Sequence, residues 1–344
     1  MAVQAVNADI AQQAHAYQQN LTKPAGSLGK LEDIACWFAA RQGKVIPDPI
    51  QAHIAVFAGD HGICEEGVSA FPSVVTGEMV KNFAAGGAAI NVLARQADAS
   101  LSIVDVGVAV DTTHIPDVIQ CKVRAGASNS LRAPAMSQAE CEQAIQCGKQ
   151  EALSAISKGA NLLVAGDMGI GNTTASACLI ALFTNGKPEA IVGRGTGIDD
   201  ATHAHKTDIV KRIIARVRAE SAKPHQYLQQ AGGLEIAAMT GFYVEAAKQG
   251  IPVVLDGFIS AAAALAAQSM EPEINQWMLS SHLSRENGHG VALNHLKLEP
   301  LLDFHLRLGE GSGAALVLPL LQSAIALHRE MATFSQAEVS NKTA

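Results

Sequence analysis

Short runs of apolar and β-branched residues recur along the chain, and each run stops at Gly or Asp before a helical pattern begins. The runs cover residues 53–57, 101–106, 162–165, 190–192 and 253–255. Continuous apolar strands that alternate with helices are typical of a parallel sheet whose two faces are both covered. The pattern therefore predicts an α/β fold with a parallel sheet and helices on both faces, but it does not give the order of the strands.

Helix signals stand between and beyond these runs. Ser137 and Glu140 have the spacing of a capping box, and Asn172 is placed to cap the helix that follows it. Pro319 predicts a kink or a break in the last long helix. The predicted helical segments are 8–20, 175–183, 203–220 and 312–331.

The two ends of the chain differ from its middle, because residues 8–20 and the final stretch are both polar. We expect the N-terminal helices and part of the C-terminal region to form a small helical subdomain beside the α/β core. The expected divisions are an N-terminal helical segment at 1–45, the α/β core at 46–280, a C-terminal loop and helix region at 281–334, and a frayed tail at 335–344.

Composition narrows the possible partners. The 344 residues include 25 Lys and Arg against 32 Asp and Glu, which gives a formal net charge of -7. An acidic chain without basic runs is not expected to bind nucleic-acid phosphates or an anionic membrane surface. A local basic pocket for one small phosphate is still compatible with this negative net charge. Hydrophobic residues make up 48% and aromatic residues 4%, so the core should consist mainly of Ala, Val, Ile and Leu.

Three further features bear on location. Residues 1–9 contain no basic segment followed by an apolar run, which predicts that there is no signal peptide. The most apolar stretch, 251–267, contains Pro252, Asp256 and Gly257, so we interpret it as a strand followed by a helix and not as a membrane span. The cysteines form no C-x-x-C pair, which favours reduced thiols and a cytoplasmic location. They are Cys36, Cys64, Cys121, Cys141, Cys147 and Cys178.

The strongest candidate for chemistry is a glycine-rich segment after the run at 162–165, with the sequence Gly166-Asp167-Met168-Gly169-Ile170-Gly171-Asn172-Thr173-Thr174. Glycines let the backbone approach an anion, and the following helix presents free amides and the positive end of its dipole. The alternative is a tight β–α turn with a Thr-rich cap and no ligand. The segment matches neither the P-loop nor the dinucleotide-binding motif, which disfavours both kinds of nucleotide site.

Two more segments carry charged side chains beside glycines. Gly193 and Gly195 belong to a second glycine loop, and Lys206 follows it as a point charge for a phosphate or as an ordinary solvated lysine. Glu310 stands between glycines and before an apolar helix, where its carboxylate would be accessible as a general base. The alternative for Glu310 is a stabilising charge at a helix N-terminus, worth about 0.3–1 kcal/mol.

Metal and serine-hydrolase sites are disfavoured. The histidines are dispersed, there is no H-E-x-x-H motif, and the i,i+2 spacing of His203 and His205 does not converge on a helix. There is no G-x-S-x-G motif either. We therefore expect a reaction without a metal site.

A set of segments, taken in order, carries a resemblance that spans residues 21–328. They are 23–32 (KPAGSLGKLE), 60–62 (DHG), 67–72 (GVSAFP), 82–83 (NF), 86–93 (GGAAINVL), 169–174 (GIGNTT), 239–241 (MTG), 255–258 (LDGF), 281–282 (SH) and 307–316 (RLGEGSGAAL). Together they resemble one family, the nicotinate-nucleotide–dimethylbenzimidazole phosphoribosyltransferases of cobalamin nucleotide-loop assembly.

The resemblance implies an activity and a fold. The activity is transfer of 5-phosphoribosyl from nicotinate mononucleotide to 5,6-dimethylbenzimidazole, which gives α-ribazole 5′-phosphate and nicotinate with inversion at C1′. The fold is a Rossmann-like α/β domain with a small helical domain. The resemblance also implies a homodimer with the active site near the interface, small-molecule substrates as the only ligands, and no cofactor.

The resemblance also gives roles to individual residues. Glu310 matches the general base, and Asp167 stands where the family commonly has Glu, so that its carboxylate is one methylene shorter. The implied nucleotide and phosphate site consists of Gly169, Gly171, Asn172, Thr173, Thr174, Gly193, Gly195, Lys206, Ser284, Arg307 and Gly309. The implied acceptor-base pocket consists of Phe71, Met79 and Leu308.

Two alternatives stay open at this point. A related enzyme could use the same donor with another acceptor, such as adenine or a phenol, because the sequence says least about the acceptor pocket. A non-catalytic regulator could keep the phosphate loops to bind a nucleotide, but the accessible Glu310 would then have no role.

Overall fold

The strands of the protein form one parallel sheet in a computed structural model that describes residues 2–195, 197–220 and 223–340. The strands are β1 (Ala52–Gly59), β2 (Ser100–Gly107), β3 (Val118–Gln120), β4 (Leu162–Met168), β5 (Val253–Leu255), β6 (Met278–His282) and β7 (Pro300–Leu302). Their order across the sheet is β3-β2-β1-β4-β5-β6-β7. The order reverses between β1 and β4, which is the type of position where open α/β sheets bind ligands.

Helices connect the strands and cover the sheet. They are α1 (Ala8–Gln18), α2 (Lys30–Gln42), α3 (Val74–Ala84), α4 (Ala89–Gln96), α5 (Gln138–Ser157), α6 (Asn172–Thr184), α7 (Pro188–Ile191), α8 (Asp200–Ala219), α9 (Pro224–Ala231), α10 (Leu234–Lys248), α11 (Phe258–Met270), α12 (His289–Leu296) and α13 (Ser312–Glu330). Two short 3-10 helices span Gly62–Glu66 and Ile274–Trp277. In the part of the chain that the structure describes, none of the helices combines the length and apolar character needed to cross a membrane.

Both faces of the sheet are buried. Along β1, Ala55 and Phe57 pack with residues of α5, α10 and α11, whereas Ile54 and Val56 pack with residues of α2, α4 and α13. All eight residues of β1 are buried. Because successive side chains of a strand point to opposite faces, a strand covered on both faces needs apolar residues at every position. This confirms the predicted α/β fold.

One predicted strand is wrong. Residues 190–192 belong to α7 and its C-terminal cap, because Pro188 occupies the first helical turn, where its fixed φ favours a helix. Ile191 is buried all the same, so burial alone produced the apolar run. The predicted runs at 53–57, 101–106, 162–165 and 253–255 lie in β1, β2, β4 and β5 and are confirmed.

The predicted helix termini are partly right. At the start of α5, Glu140 donates its amide to Ser137 Oγ at 3.2 Å and Ser137 donates its amide to Glu140 Oε2 at 2.7 Å, which confirms the capping box. The prediction for Asn172 is wrong, because Gly171 occupies the cap position and Asn172 is already helical. Of the kink or break predicted at Pro319, the break is wrong, since α13 continues through this residue.

The N-terminal helices pack against the last helix. α1 packs on α2, and α2 packs on α13, while Ala14, Cys36 and Ala39 form a small separate cluster. An isolated antiparallel bridge joins Leu21 to Thr333. The divisions at 45, 280 and 334 stay predictions; β6 crosses the one at 280, and residues 341–344 of the predicted tail lie outside the described residues.

The expectation that all six cysteines are free is wrong for two of them. The structure joins Cys121, just after β3, to Cys147 in α5 as a disulfide with 6.2 Å between the Cα atoms. Cys36, Cys64, Cys141 and Cys178 are free. The pairing depends on how α5 packs across the sheet, and a separation of 26 residues in sequence gave no sign of it.

Candidate active site

A cavity of about 330 Å³ lies at the carboxyl ends of the central strands. The segments after β4, β5 and β6 form its base, the turn before α13 forms one wall, and α3 with the loop before it forms another. Loops and helix N-termini converge at this edge of a parallel sheet, which makes it the usual ligand site of such folds.

Most of the residues predicted for the site line this cavity. They are Phe71, Met79, Asp167, Gly169, Gly171, Asn172, Thr173, Gly195, Lys206, Ser284, Arg307, Leu308, Gly309 and Glu310. Thr174 and Gly193 do not line it. Thr174 is fully buried in the first turn of α6, and Gly193 lies directly against the Glu286 carboxyl group, where a Cβ atom would collide with it.

The N-terminus of α6 lines one end of the cavity, which is the candidate anion-binding end. Gly171 has a φ of +98°, a left-handed conformation that favours glycine, and it turns the chain from β4 into α6. The Lys206 ammonium donates a hydrogen bond to Thr173 Oγ1 at 2.8 Å. The positive end of the helix dipole and an ammonium group therefore lie together, which is an arrangement suited to binding a phosphate.

Lys206 is not a solvated surface lysine. Its side chain is 1% exposed, and burial lowers the pKa of its ammonium to about 8, although the nearby Glu286 carboxylate opposes the shift. Arg307 also faces this end, where its guanidinium donates a hydrogen bond to the Gly195 carbonyl at 3.0 Å. Thr196, which belongs to the same predicted loop, lies outside the described residues.

Glu310 lies in a tight turn between Gly309 and Gly311. All three residues have positive φ, and Glu310 itself adopts +63°. The glutamate is 5% exposed, and its Oε2 has no hydrogen-bond partner within the described residues. Burial raises the pKa of Glu310, the Ile90 backbone amide at the start of α4 opposes this, and Asp256 raises it further. A buried, incompletely hydrogen-bonded carboxyl group of raised pKa has the properties of a general base.

Two aspartates hold the Glu310 turn, Asp256 through its carboxyl group and Asp167 through its backbone carbonyl. Asp256 accepts hydrogen bonds from the Ala314 amide at 2.9 Å and the Gly311 amide at 3.2 Å, at the start of α13. Burial raises the pKa of Asp256 to about 6 despite these hydrogen bonds.

The Asp167 carboxyl group accepts a hydrogen bond from Asn172 Nδ2 at 2.9 Å, which explains why Asn172 does not cap α6.

Asp167 lies among several carboxyl groups. Burial, followed by Asp256 and Glu235, raises the pKa of Asp167 well above its ordinary value, and Glu310 adds to the effect. The hydrogen bond from Asn172 opposes it. Since each charge in this group disfavours the next, the ionised form of Asp167 is less favourable than that of an exposed aspartate.

The other wall of the cavity is apolar and partly open. Phe71 and Leu308 are 49% and 58% exposed. Met79, Val75 and Met168 line the same region and are more covered. A flat aromatic ring could enter between these side chains, since apolar walls with a few convergent polar groups are typical of small-molecule sites.

His282 and Glu286 also line the cavity, although neither was predicted as a site residue. His282 ends β6, and Glu286 lies in the segment that follows it. This five-residue strand was not predicted because it ends in Ser-Ser-His and so lacks a continuous apolar run. The segment from Ser281 to His289 is polar, but its spacing fits no metal template. Only the placement of β6 beside β5 shows that these side chains reach the site.

A second buried polar cluster lies behind the cavity. His61 Nε2 and Glu235 Oε1 are 2.6 Å apart, and both side chains are almost completely buried. Burial lowers the pKa of His61, but the Glu235 carboxylate outweighs this and raises it. Within the described residues, no group of three or more His, Cys, Asp or Glu side chains has the geometry of a metal site.

Known proteins share this sequence and fold. The phosphoribosyltransferase family profile matches residues 3–339. The nicotinate-nucleotide–dimethylbenzimidazole phosphoribosyltransferase of Chromobacterium violaceum is 56% identical over 331 residues, covering 96% of each chain. The enzyme of the same name from Chlorobium chlorochromatii is 48% identical over 341 residues, covering 99% of this chain and 96% of its own.

A solved structure agrees with these relatives. The crystal structure of CobT from Thermus thermophilus matches with a TM-score of 0.93 and 45% identity, covering 97% of this chain and 100% of that one. Sequence, fold and the position of the cavity therefore lead to one conclusion: this chain belongs to the nicotinate-nucleotide–dimethylbenzimidazole phosphoribosyltransferase family.

Proposed function

We propose that this protein transfers the 5-phosphoribosyl group of nicotinate mononucleotide to 5,6-dimethylbenzimidazole, with Glu310 as the general base. The observation that carries the proposal is that Glu310, with an oxygen lacking a hydrogen-bond partner in the described chain, lines the same cavity as the Lys206 ammonium. One group can receive a proton and the other can hold a phosphate, which is what this reaction requires of the protein.

The anion-binding end holds the 5′-phosphate of the donor. The backbone amides at the start of α6 and the Lys206 ammonium supply the donors, and Thr173 orients the ammonium. Arg307 and Ser284 lie at the same cavity and complete the polar surroundings of the nucleotide. Fixing the phosphate places C1′ of the ribose at a defined distance from the acceptor, which lowers the entropic part of the barrier.

The chemical step needs one base and no general acid. One ring nitrogen of the acceptor attacks C1′ with its lone pair, and the bond from C1′ to the pyridinium nitrogen breaks. The electron pair of that bond returns to the nicotinate ring, so nicotinate leaves without a proton. The N–H proton on the other acceptor nitrogen passes to the Glu310 carboxylate. Attack from the face opposite the leaving group inverts C1′ from β to α.

Asp167 supports this step from below the turn. Its side chain contacts Asn172 and Gly309, and we assign it a role in positioning the ribose and the Glu310 turn. The side chain of aspartate is one methylene shorter than that of glutamate. Here the side-chain amide of Asn172 donates a hydrogen bond to the Asp167 carboxyl group. The shorter side chain is therefore held in place by the helix that follows.

The apolar wall accepts the benzimidazole ring between Phe71, Met79 and Leu308. Phe71 and Leu308 stay partly exposed at the mouth of the cavity, and the homodimer with the site near its interface remains a prediction. The cytoplasmic location stays a prediction from the sequence.

The test is a reaction of the pure protein with nicotinate mononucleotide and a panel of acceptors that includes 5,6-dimethylbenzimidazole, adenine and phenol. We expect nicotinate release with the benzimidazole, and an α-anomer of the nucleotide product by NMR. A higher kcat/KM for adenine or phenol would replace the acceptor in the proposal. Tight binding of the donor without turnover with any acceptor would show a regulator instead.

A further inference from the structure

His282 lies at the end of β6, on the floor of the cavity, and the function proposed above gives it no role. The residue is 3% exposed. Its ring packs against the backbone of Gly313 in the first turn of α13 and lies near Gly257, which follows β5. The imidazole is therefore held between the segment that carries Glu310 and the base of the site.

The hydrogen bonds of Ser281 fix the tautomer of this ring. The Ser281 hydroxyl donates to the Asp256 carbonyl at 3.1 Å and lies 2.9 Å from His282 Nδ1. A hydroxyl has one proton, so both contacts are made only if Nδ1–H of the imidazole donates to the Ser281 oxygen. With Nδ1 as the donor, Nε2 of the neutral ring carries a lone pair.

The ring is neutral near pH 7, because burial lowers the pKa of His282 to about 4, although Asp303 opposes the shift. Within the described residues, no protein group makes a hydrogen bond to Nε2. A Cβ atom on Gly257 would lie 3.6 Å from Nε2, so the glycine leaves the space beside this nitrogen open. The site therefore presents a fixed, unpartnered acceptor to whatever fills the cavity.

The donor nucleotide has few groups that match such an acceptor. Its phosphate and carboxylate oxygens are themselves acceptors near neutral pH, and its pyridinium ring has no N–H. Only the two ribose hydroxyls can donate a hydrogen bond to a lone pair. The acceptor base has an N–H, but Glu310 is the base for that proton.

We propose that His282 Nε2 accepts a hydrogen bond from a ribose hydroxyl of the donor substrate, and so makes the site selective for ribosyl over deoxyribosyl donors. The proposal rests on the function proposed above. The position of Ser284 supports this proposal. A Cβ atom on Gly257 would also lie 3.7 Å from Ser284 Cβ, so the Ser284 side chain stands beside the same open space as His282 Nε2 and is placed to bind the other ribose hydroxyl. Vicinal hydroxyls are bound well by one acceptor and one donor held side by side.

The experiment compares nicotinate mononucleotide with its 2′-deoxy and 3′-deoxy analogues. The quantity measured is the ratio of kcat/KM for the ribosyl donor to kcat/KM for the deoxy analogue. For one of the two analogues, we expect this ratio to be about 10-fold larger in the wild-type protein than in His282→Phe, which is the scale of one hydrogen bond to a buried partner. The comparison between two proteins cancels the intrinsic reactivity of each analogue. His282→Gln, which keeps an acceptor near the position of Nε2, should restore part of the discrimination.

A merely structural histidine would behave differently, because its loss would lower kcat/KM for all three donors by the same factor. His328→Phe is the matched control, since His328 is equally buried but hydrogen-bonds Gln18 and Val45, away from the cavity. It should leave the ratio between donors unchanged. Calorimetric binding of each donor to the wild-type protein, without acceptor, gives a second measurement if the variants do not fold.

Two results would overturn the inference. One is equal discrimination in the wild-type and His282→Phe proteins. The other is binding of both deoxy analogues within about twofold of the ribosyl donor, which is too small for a lost hydrogen bond. In either case, continued turnover of nicotinate mononucleotide would leave the proposed function standing. Absence of turnover with the ribosyl donor would contradict the proposed function itself.

Discussion

The backbone carbonyl of Asp167 accepts a hydrogen bond from the Glu310 amide at 3.2 Å. Asp167 belongs to β4, and Glu310 precedes α13, so this contact joins two segments that are 143 residues apart in sequence. Gly309 lies over the Asp167 carboxyl group, where a Cβ atom would be 3.0 Å from Oδ2. The proposed phosphate-binding loop after β4 and the proposed base are therefore attached to the same strand end, so a displacement of one is expected to displace the other.

Removal of the proposed base should affect the rate more than the fold. We expect Glu310→Gln to lower kcat by about 10²–10⁴-fold, the usual contribution of a general base. Glutamine keeps the shape of the side chain, so the melting temperature should change little. Initial rates of nicotinate release, with a parallel thermal melt, measure both effects.

Glu299→Gln is the matched control for this substitution, since Glu299 is exposed and pairs only with Lys30 at 3.4 Å in the described chain. It should have the wild-type rate. If Glu310→Gln retained the rate of this control, Glu310 would not be the base.

The rate should depend on pH in a direction set by the raised pKa of Glu310. A general base must be ionised, so kcat/KM should fall as the pH decreases through the pKa of this carboxyl group. Because burial raises that pKa above the ordinary value of 4.5, we expect the midpoint of the acid limb to lie above 4.5. A profile that is flat down to pH 4.5 would contradict the buried setting of the base. The pKa values of Asp167 and Asp256 are raised as well, and these carboxyl groups influence one another, so the acid limb belongs to the coupled group and not to Glu310 alone.

The backbone of Glu310 predicts a conflict between stability and activity. Its φ of +63° is left-handed, which costs a residue with a Cβ atom about 1–2 kcal/mol relative to glycine. We therefore expect Glu310→Gly to have a higher free energy of unfolding than Glu310→Ala by about 1 kcal/mol. Both variants should lack the activity. Urea denaturation of the pair makes the comparison, and a less stable glycine variant would show that the turn is not strained.

Lys206 should matter for donor binding. Loss of a charged hydrogen bond to phosphate costs about 1.5–3 kcal/mol, so Lys206→Met should lower kcat/KM for nicotinate mononucleotide by roughly 10–150-fold, mainly through KM. Lys211→Met is the matched control on the same helix, because Lys211 is about half exposed and pairs with Glu189. A similar loss in both variants would show a general effect of charge and not a phosphate site.

The lowered pKa of Lys206 adds a second test at high pH. Burial brings the pKa of the free ammonium to about 8, so the unliganded protein loses this charge as the pH rises past that value. The KM for the donor should then increase above pH 8 in the wild-type protein, and less so in Lys206→Met. A wild-type KM that is constant to about pH 9.5, roughly 1.5 units beyond that value, would contradict the role of the ammonium.

The parts of the fold that the sequence predicted are those in which local pattern and burial agree. The runs in β1, β2, β4 and β5 are long enough, or central enough, to be apolar on both faces. Residues 190–192 were wrongly predicted as a strand, because three apolar residues are too few to distinguish a buried helix end from a strand. Pro188 in the first turn favours the helix. β7 begins with Pro300 at the edge of the sheet, where a missing amide costs little and the pattern is weak.

The residues that line the cavity were predictable where a motif lies on one continuous segment, as in Gly169–Thr173 or around Glu310. The hydrogen bond that turns Asn172 toward Asp167 was not predictable, since an asparagine at a helix start can equally be a cap. His282 and Glu286 were missed for another reason. They reach the cavity only because β6 lies beside β5, and strand order cannot be read from a single sequence.

The role of Glu310 as a base is tested most directly by an acceptor that has no proton to lose. 1-Methyl-5,6-dimethylbenzimidazole can attack C1′ through its free nitrogen, but it carries no N–H. With 5,6-dimethylbenzimidazole, the ratio of wild-type to Glu310→Gln rates should be about 10²–10⁴, and with the methylated acceptor it should fall close to one. An equally large ratio with both acceptors would mean that Glu310 does something other than take the proton.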